Sequence, residues 1–410
     1  MQQKTFEEQL LGIVARRRQR SLLRTTPLPP SPPLIDFSSN DYLGLAHNPH
    51  LHDRFLSALQ KSSHALGSTG SRLLNGNSRE ALSLETFLAD FHNASDALLF
   101  NSGYDANLSL LSTLPQPDSA VVYDELVHAS MHDGIKLGRA KYAKKFKHNN
   151  VDALRDLLTE LLVGKQGQDE GTLCKTAVVA VESLYSMDGD IAPLEEIVQV
   201  VEEFDGRACL VVDEAHSTGV FGSQGRGLVC ALGLESRVYA RLHTFGKAIG
   251  SHGAVVLGSP TLREYLVNYA RPLVYSTMIS YHGLVAIRCS YEYLMEEAVR
   301  LQTRMTELVQ VFRQAVGPLP PGATLLPSDS MIQGIVLAGN ARVVALATRV
   351  QAKGFDVRPI RSPTVPKGTE RLRVCLHAHN TRQEVLALAA AIRWAVEEVI
   401  GRSLVALPKL

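Results

Sequence analysis

Three side chains and two turns stand at or just beyond the ends of short segments of the chain, and their placement points to chemistry. Lys247 closes His243-Thr244-Phe245-Gly246-Lys247, with Gly250 and Gly253 close behind. Asp213 ends the run ACLVVD (208–213) and opens Asp213-Glu214-Ala215-His216-Ser217-Thr218-Gly219. His128 follows AVVY (120–123) in Asp124-Glu125-Leu126-Val127-His128-Ala129-Ser130. ALLF (97–100) leads into Asn101-Ser102-Gly103-Tyr104, and AVVAVES (177–183) leads into Leu184-Tyr185-Ser186-Met187-Asp188-Gly189-Asp190. Each piece alone has a plain reading. An Asp at a strand end is usually a helix cap, a lone Lys a solvated charge, and a Ser-Gly turn before a helix is common. Together they supply an anion cradle at a helix N-terminus, a ring-sized space beside a histidine, a carboxylate and a lysine in a Gly-flanked loop. That is the set pyridoxal 5′-phosphate needs: a lysine to carry it and a carboxylate to keep its pyridine nitrogen protonated.

These residues can meet only if the runs between them are strands of one sheet. Short β-branched runs alternate with helical patterns near 48–60, 78–92, 151–163 and Leu194–Phe204, and GAVVLGS (253–259) adds another strand. This pattern predicts an α/β fold with a mainly parallel central sheet covered on both faces, with ligands just beyond the carboxyl ends of the strands. Lys141, Lys144, Lys145 and Lys147 read as a basic turn whose charges form a solvated face, with contact to an anionic ligand as the lesser alternative. From about Tyr281 the pattern changes to long helices, then GIVLA, GFDVRPI, RLRVCL and a last helix near 381–402, which reads as a smaller α+β domain. The expected organisation is 1–50 for an N-terminal helix, Pro-rich linker and entry strand, 51–280 for a large cofactor-binding α/β domain, and 281–410 for the C-terminal α+β domain.

At 410 residues the chain is long enough for two or three domains. Its 42 Lys+Arg against 41 Asp+Glu leave a net charge of +1, so no global field attracts nucleic acid or anionic membrane. No apolar run approaches the ~20 residues of a membrane span. The cysteines (Cys174, Cys209, Cys230, Cys289, Cys375) are odd in number and scattered, which predicts core thiols in a reducing compartment rather than disulfides or a metal site. No metal ligand set is expected, and His47, His50, His52 and His64 read as surface or cap residues. The stretch Thr25 to Leu34 is the one biased segment, and its prolines predict an extended linker.

VVDEAHSTGVFG (211–222), YSMDGDIAPL (185–194) and TFGKAIGSHGAVVLGS (244–259) resemble the signature blocks of the α-oxoamine synthases. FSSNDYLGL (37–45), GSTGSRLLNGN (67–77), NSGYDAN (101–107), DELVHASMHDG (124–134), ARPLVYST (270–277) and RSPTVPKGTERLRV (361–374) follow in family order. The resemblance implies a fold-type I pyridoxal-phosphate-dependent transferase that condenses an amino acid with an acyl-CoA and releases carbon dioxide. It implies that Lys247 carries the cofactor and moves the proton, that Asp213 holds the pyridine nitrogen, and that His128 stacks on the ring. His216 and Ser186 would contact the ring oxygen. Ser102 lies in the phosphate turn, where Gly103 and Tyr104 backbone groups with Thr244 would hold the phosphate. Ser276 or Thr277 would reach the phosphate of a neighbouring subunit in a homodimer. Arg373, with Asn40 nearby, would bind the amino-acid carboxylate, and Thr364 and Arg24 would contact substrate, with Arg20 the competitor for Arg24. Within the family, FSSNDYLGL, SMDGDIAPL and RSPTVPKGTERLR are most similar to members that join L-alanine to pimeloyl-CoA. Other acyl-CoA or amino-acid choices, and a non-catalytic family subunit, stay open, although the presence of Lys247 argues against the last.

The C-terminal Pro408-Lys409-Leu410 resembles a peroxisomal address. A peroxisomal location is expected if the source is eukaryotic and a cytoplasmic one otherwise, with a loose accidental match as the competing reading.

Overall fold

The computed structural model describes residues 5–19, 22–23, 26, 32–61, 66–164 and 173–405. Arg20, Arg24, Pro27, Pro29, Pro30, His64 and the Pro-Lys-Leu tail lie outside the described residues. The chain divides into two units, residues 1–35 and 36–410. The first holds α1 (Phe6–Gln19). Thr5 and Glu8 cap it reciprocally, at 3.2 Å and 2.8 Å.

Then come β1 (Ile35–Asp36), α2 (Pro49–Gln60) and α3 (Arg79–Phe91). Strands and helices alternate next: β2 (Asp96–Phe100), α4 (Gly103–Thr113), β3 (Ser119–Asp124), α5 (Ala129–Leu137), β4 (Tyr142–Phe146) and α6 (Val151–Leu162). The alternation continues through β5 (Thr176–Glu182), α7 (Leu194–Glu202), β6 (Ala208–Asp213), α8 (Leu228–Ala231), β7 (Ala240–Thr244) and β8 (Ala254–Gly258). Helices α9 (Pro260–Tyr269) and α10 (Arg271–Tyr275) lead into the long α11 (Tyr281–Val316). The last section runs β9 (Thr324–Leu325), β10 (Ile332–Val336), α12 (Asn340–Gln351), β11 (Phe355–Asp356), β12 (Arg358–Ile360), β13 (Arg371–Cys375) and α13 (Arg382–Val405).

The large sheet has the order β2-β8-β7-β6-β5-β3-β4. Pairings within β7-β6-β5-β3-β4 are parallel, and β8 alone runs against its neighbours β7 and β2. Central strands such as Val178–Val181 and Leu210–Val212 are buried on both faces, as the expected doubly covered sheet requires. A second sheet, antiparallel throughout, has the order β12-β13-β10-β9 and forms the smaller C-terminal part.

Two strands of the large sheet escaped the sequence pattern. The stretch read as a basic turn is β4, an edge strand paired in parallel with β3 from Ala120↔Tyr142 to Asp124↔Phe146. Its Lys144 and Lys145 are exposed, and charge is what an edge strand favours, so the apolar signal is missing. β7 is masked by Arg241 and His243, both fully buried. Arg241 satisfies its charge on the carbonyls of His92 and Asn93, at 2.9 Å and 3.3 Å. The region from Tyr281, read as several helices before GIVLA, is one 36-residue helix.

Close contact of α4 with α5 depends on Gly134. A Cβ there would stand 3.0 Å from the Asn107 carbonyl and from Leu111 Cβ. No helix among the described residues is long and apolar enough to cross a membrane.

Candidate active site

Most residues that open the site lie at or just beyond the carboxyl ends of strands of the large sheet, as the topology dictates, while Asn40 comes from the segment after β1 and Arg373 from β13. β5 and β6 end in register at Glu182 and Asp213, so two carboxylates emerge side by side. Asp213 is 5 % exposed. Its Oδ1 accepts from the Ala215 N–H at 2.8 Å and its Oδ2 from Asn107 Nδ2 at 2.7 Å. Asn107 Nδ2 also donates to Ser130 Oγ at 3.1 Å, which frees the Ser130 hydroxyl proton for His128 Nδ1 at 2.8 Å. The Ser130 N–H reaches the same Nδ1 at 3.2 Å. His128 therefore accepts at Nδ1 and carries its proton on Nε2. Burial lowers its pKa, and the Lys247 charge adds to this against the pull of Asp213.

Ser102 caps α4 by accepting from the Asp105 N–H at 3.0 Å. The N–H groups of Gly103 and Tyr104 lie in the first turn, where no intrahelical acceptor exists. Thr244 stands opposite: a Cβ on Gly103 would come to 3.4 Å of its Oγ1, so glycine keeps this mouth open. The Tyr104 ring meets His128 edge-on with centroids 6.4 Å apart, and its hydroxyl bonds Asp133.

Lys247 sits in the hairpin between β7 and β8, closed by Phe245 N–H to the Gly253 carbonyl at 2.9 Å and Ser251 N–H to the Phe245 carbonyl at 2.8 Å. Gly250 makes the tight turn at φ +63°, and a Cβ there would strike the Ala46 nitrogen. Burial lowers the Lys247 pKa, opposed by the charges of Asp213 and Glu182 and aided by Arg373. Glu182 moves the other way: burial, reinforced by Asp213, holds its carboxyl well above the usual range.

On the far side, Arg373 Nε donates to the Ser186 carbonyl at 2.7 Å and Nη2 to Asn40 Oδ1 at 3.1 Å. The Tyr42 hydroxyl lies 3.4 Å from that Nη2, 3.0 Å from Asn40 Oδ1 and 2.7 Å from His216 Nδ1. His216 is buried, and burial with the Lys247 and Arg373 charges keeps it neutral, well below its ordinary pKa.

The sequence-predicted residues Lys247, Asp213, His128, His216, Ser102, Gly103, Tyr104, Thr244, Ser186, Asn40 and Arg373 thus open on one crevice. Thr364 does not join those contacts; it is exposed on the loop between β12 and β13. Thr277 gives its carbonyl to Asn101 Nδ2 of the same chain at 2.8 Å, beside the turn that opens α4, and Ser276 is half-buried next to it. Arg24 and Arg20 lie outside the described residues. Sequence reading missed Glu182, Asn107 and Tyr42. Tyr42 and Asn107 stand within FSSNDYLGL and NSGYDAN, and Asn107 lies four residues after Gly103, one helical turn on, which was the available signal.

The arrangement fits pyridoxal phosphate: an anion cradle at one end, a fixed carboxylate at the other, and a lysine amine without a hydrogen-bonding partner among the described residues. Glu182 Oε1 and Asn107 Oδ1 are buried without a hydrogen-bonding partner among the described residues, which leaves polar capacity at the site for a ligand. Among the described residues no cluster of three or more His, Cys, Asp or Glu could hold a metal ion.

Sheet and site together define a fold-type I pyridoxal-phosphate-dependent transferase. Residues 32–392 match the family model for aminotransferase class I and II. The 8-amino-7-oxononanoate synthase of Emericella nidulans (strain FGSC A4) is 45% identical over 386 residues, covering 92% of this chain and 93% of that protein. Aminoacyl transferase sphA of Byssochlamys spectabilis is 36% identical over 389 residues, with 89% and 82% covered. Among solved structures, a serine palmitoyltransferase from S. paucimobilis superposes with TM-score 0.83 at 27% identity, over 97% of this chain and 100% of that one. The chain belongs to the aminotransferase class I and II family, in its α-oxoamine synthase branch. It is a pyridoxal-phosphate-dependent acyltransferase of that type.

Proposed function

We propose that the chain joins L-alanine to pimeloyl-CoA, releasing CoA and carbon dioxide and giving 8-amino-7-oxononanoate. The observation that carries the amino-acid half is Arg373, held by Asn40 and the Ser186 carbonyl at the crevice that contains Lys247. A planar guanidinium fixed in this way orients a carboxylate in two-point contact. The choice of alanine and pimeloyl-CoA is supported by the 45% identity to the Emericella enzyme.

Bound pyridoxal phosphate supplies an electron sink for the negative charge that develops at the amino-acid α-carbon. Asp213 would keep the ring nitrogen charged, and Asn107 with the Ala215 N–H holds Asp213 in place. Gly103 and Tyr104 N–H groups with Thr244 Oγ1 hold the phosphate, and Ser102 fixes the turn. His128 presents its ring face, while His216 and Ser186 contact the ring oxygen. The Lys247 amine, whose charge burial disfavours, would take and return the α-proton. Thr364 and Arg24 or Arg20 contact substrate, and Ser276 or Thr277 serves the phosphate of a second subunit in a homodimer.

A second reading, another acyl-CoA with another amino acid, is supported by the identity to aminoacyl transferase sphA. One experiment separates them: CoA release by purified protein, measured with alanine, glycine and serine against acyl-CoAs of graded length. The proposal expects the highest kcat/KM for alanine with pimeloyl-CoA. A preference for serine or for long acyl chains would replace it with the second reading.

A further inference from the structure

Ser186 and its neighbours form a closed turn at the end of β5. Leu184 and Ile191 bridge its neck, the Tyr185 N–H donates to the Asp190 carbonyl at 3.0 Å, and the Gly189 N–H donates to the Tyr185 carbonyl at 2.9 Å. The C-terminal part of the fold grips one side of it. Asp188 pairs with Arg371, Ser328 Oγ donates to the Gly189 carbonyl at 2.8 Å, and Arg373 takes the Ser186 carbonyl.

The other side is held by His148, just after the edge strand β4. Its Nδ1 lies 2.9 Å and 3.1 Å from the two oxygens of Asp124, the last residue of β3, and its Nε2 lies 2.7 Å from Asp190 Oδ2. Both ring nitrogens face carboxylates, which is the geometry of an imidazolium donating twice. The Asp124 side chain is 1 % exposed and that of His148 20 %, so water screens the pair weakly. Asn149 reinforces both ends, its N–H on Asp124 Oδ2 and its Nδ2 on Asp190 Oδ2, each at 2.8 Å. The Tyr185 ring stands edge-on to His148 at 4.5 Å.

We propose that His148 is a positioning residue: as an imidazolium clamp between Asp124 and Asp190 it fixes the 184–191 turn, and through it the Ser186 carbonyl that aims Arg373. The inference rests on the site assigned above and is independent of which substrates fill it. Burial alone would depress the His148 pKa, but the hydrogen bonds and charges of Asp124 and Asp190 outweigh it and raise it to about 9. Other charged groups face it too: Glu125, whose Oε1 accepts from the His148 N–H at 3.2 Å, and Lys145, 3.9 Å from Glu125. The buried Glu182 feels the charge of Asp124, and both carboxylates act on Tyr185. A raised histidine pKa stabilises the folded clamp fully below the unfolded value near 6.5, and the stabilisation is lost as pH rises through about 9.

The test is amide hydrogen exchange of the cofactor-free protein, corrected for intrinsic pH dependence, which reads the clamp without using catalysis. His148→Gln should speed exchange in 184–191 by roughly tenfold at pH 7, with the central strands β5 and β6 unchanged. Wild-type exchange in the same turn should rise toward the variant rate between pH 6.5 and 9, and Asp190→Asn combined with His148→Gln should add little to either alone. In the loaded enzyme the same change should raise KM for the amino acid more than it lowers kcat. Unchanged exchange in 184–191, or loss of protection spread evenly over the sheet, would overturn the clamp. If His148→Gln does not fold, Asp190→Asn takes its place: faster exchange confined to 184–191 supports the clamp, and unchanged exchange there overturns it. A positive exchange result with no amino-acid KM effect would instead count against Arg373 as the carboxylate anchor.

Discussion

Asn107 and Asp213 show how one amide holds a buried carboxyl in place. Removing Asn107 leaves Asp213 Oδ2 unpaired at 5 % exposure, so Asn107→Ala should lower stability by about 2 kcal/mol, read in urea unfolding, and should weaken cofactor binding. Asp213→Asn should retain cofactor yet cut kcat by roughly a hundred- to a thousandfold, because an amide cannot hold a proton on the ring nitrogen. Lys247→Ala should abolish borohydride-fixed labelling of peptide 242–254, and labelling of a lysine in a different peptide of the wild-type chain would reassign the covalent site. At this scale the sequence was readable where a residue type is rare for its place, such as a Gly-flanked lysine or an aspartate closing an apolar run. Glu182 was not: a glutamate ending a strand looks like any surface charge until the neighbouring strand's register sets it beside Asp213.

Among the elements, β2, β3, β5 and β6, which lead into the site, were legible because they are buried and their runs are continuously apolar. β4 and β7 were not, since one owes its lysines to the sheet edge and the other hides Arg241 and His243 in a polar core. In that core His243 Nε2 lies 3.4 Å from Glu214 Oε2, and Thr218 Oγ1 lies 2.9 Å from His243 Nδ1. Burial pushes the Glu214 pKa up to about 7, against the Val229 N–H and Arg241. The carboxyl is thus neutral when folded and ionised when unfolded between about pH 4.5 and 7, so its contribution to stability falls as pH rises through that window. Glu214→Gln should flatten that part of the stability–pH curve, measured by chemical denaturation at a series of pH values. Gly189 has φ +75°, and a Cβ there would collide with the Ile332 carbonyl. Gly189→Ala should therefore cost about 1–3 kcal/mol and loosen the Ser186 turn, seen as a lower Tm.

For the molecule as a whole, the proposed exchange of a hydroxyl between subunits predicts complementation. Subunits with Lys247→Ala mixed with subunits carrying Ser276→Ala and Thr277→Ala should regain up to about a quarter of wild-type activity if one intact site forms in each mixed dimer. An active monomer at assay dilution would end the homodimer proposal. The division of the fold into a large parallel sheet and a smaller antiparallel one was visible in the change of pattern after Tyr281. How the two grip the Ser186 turn was not, because Asp188, Ser328 and Arg371 meet only across great sequence separation.

The reversed strand β8 sets an order of events during folding. Because it returns directly from β7, the lysine-bearing loop closes by local pairing, Thr244 against Ala254, on the microsecond timescale of a hairpin. The same strand's other edge must wait for β2, where Asp96 meets Gly258 from a distant part of the chain. Pairing so remote is slow, since a long loop must close before it is rewarded. The amine is therefore shaped early and the phosphate turn that follows β2 arrives late. A nascent chain would hold Lys247 in form before β2 had joined β8, and capture of the cofactor would report that this distant pairing had formed.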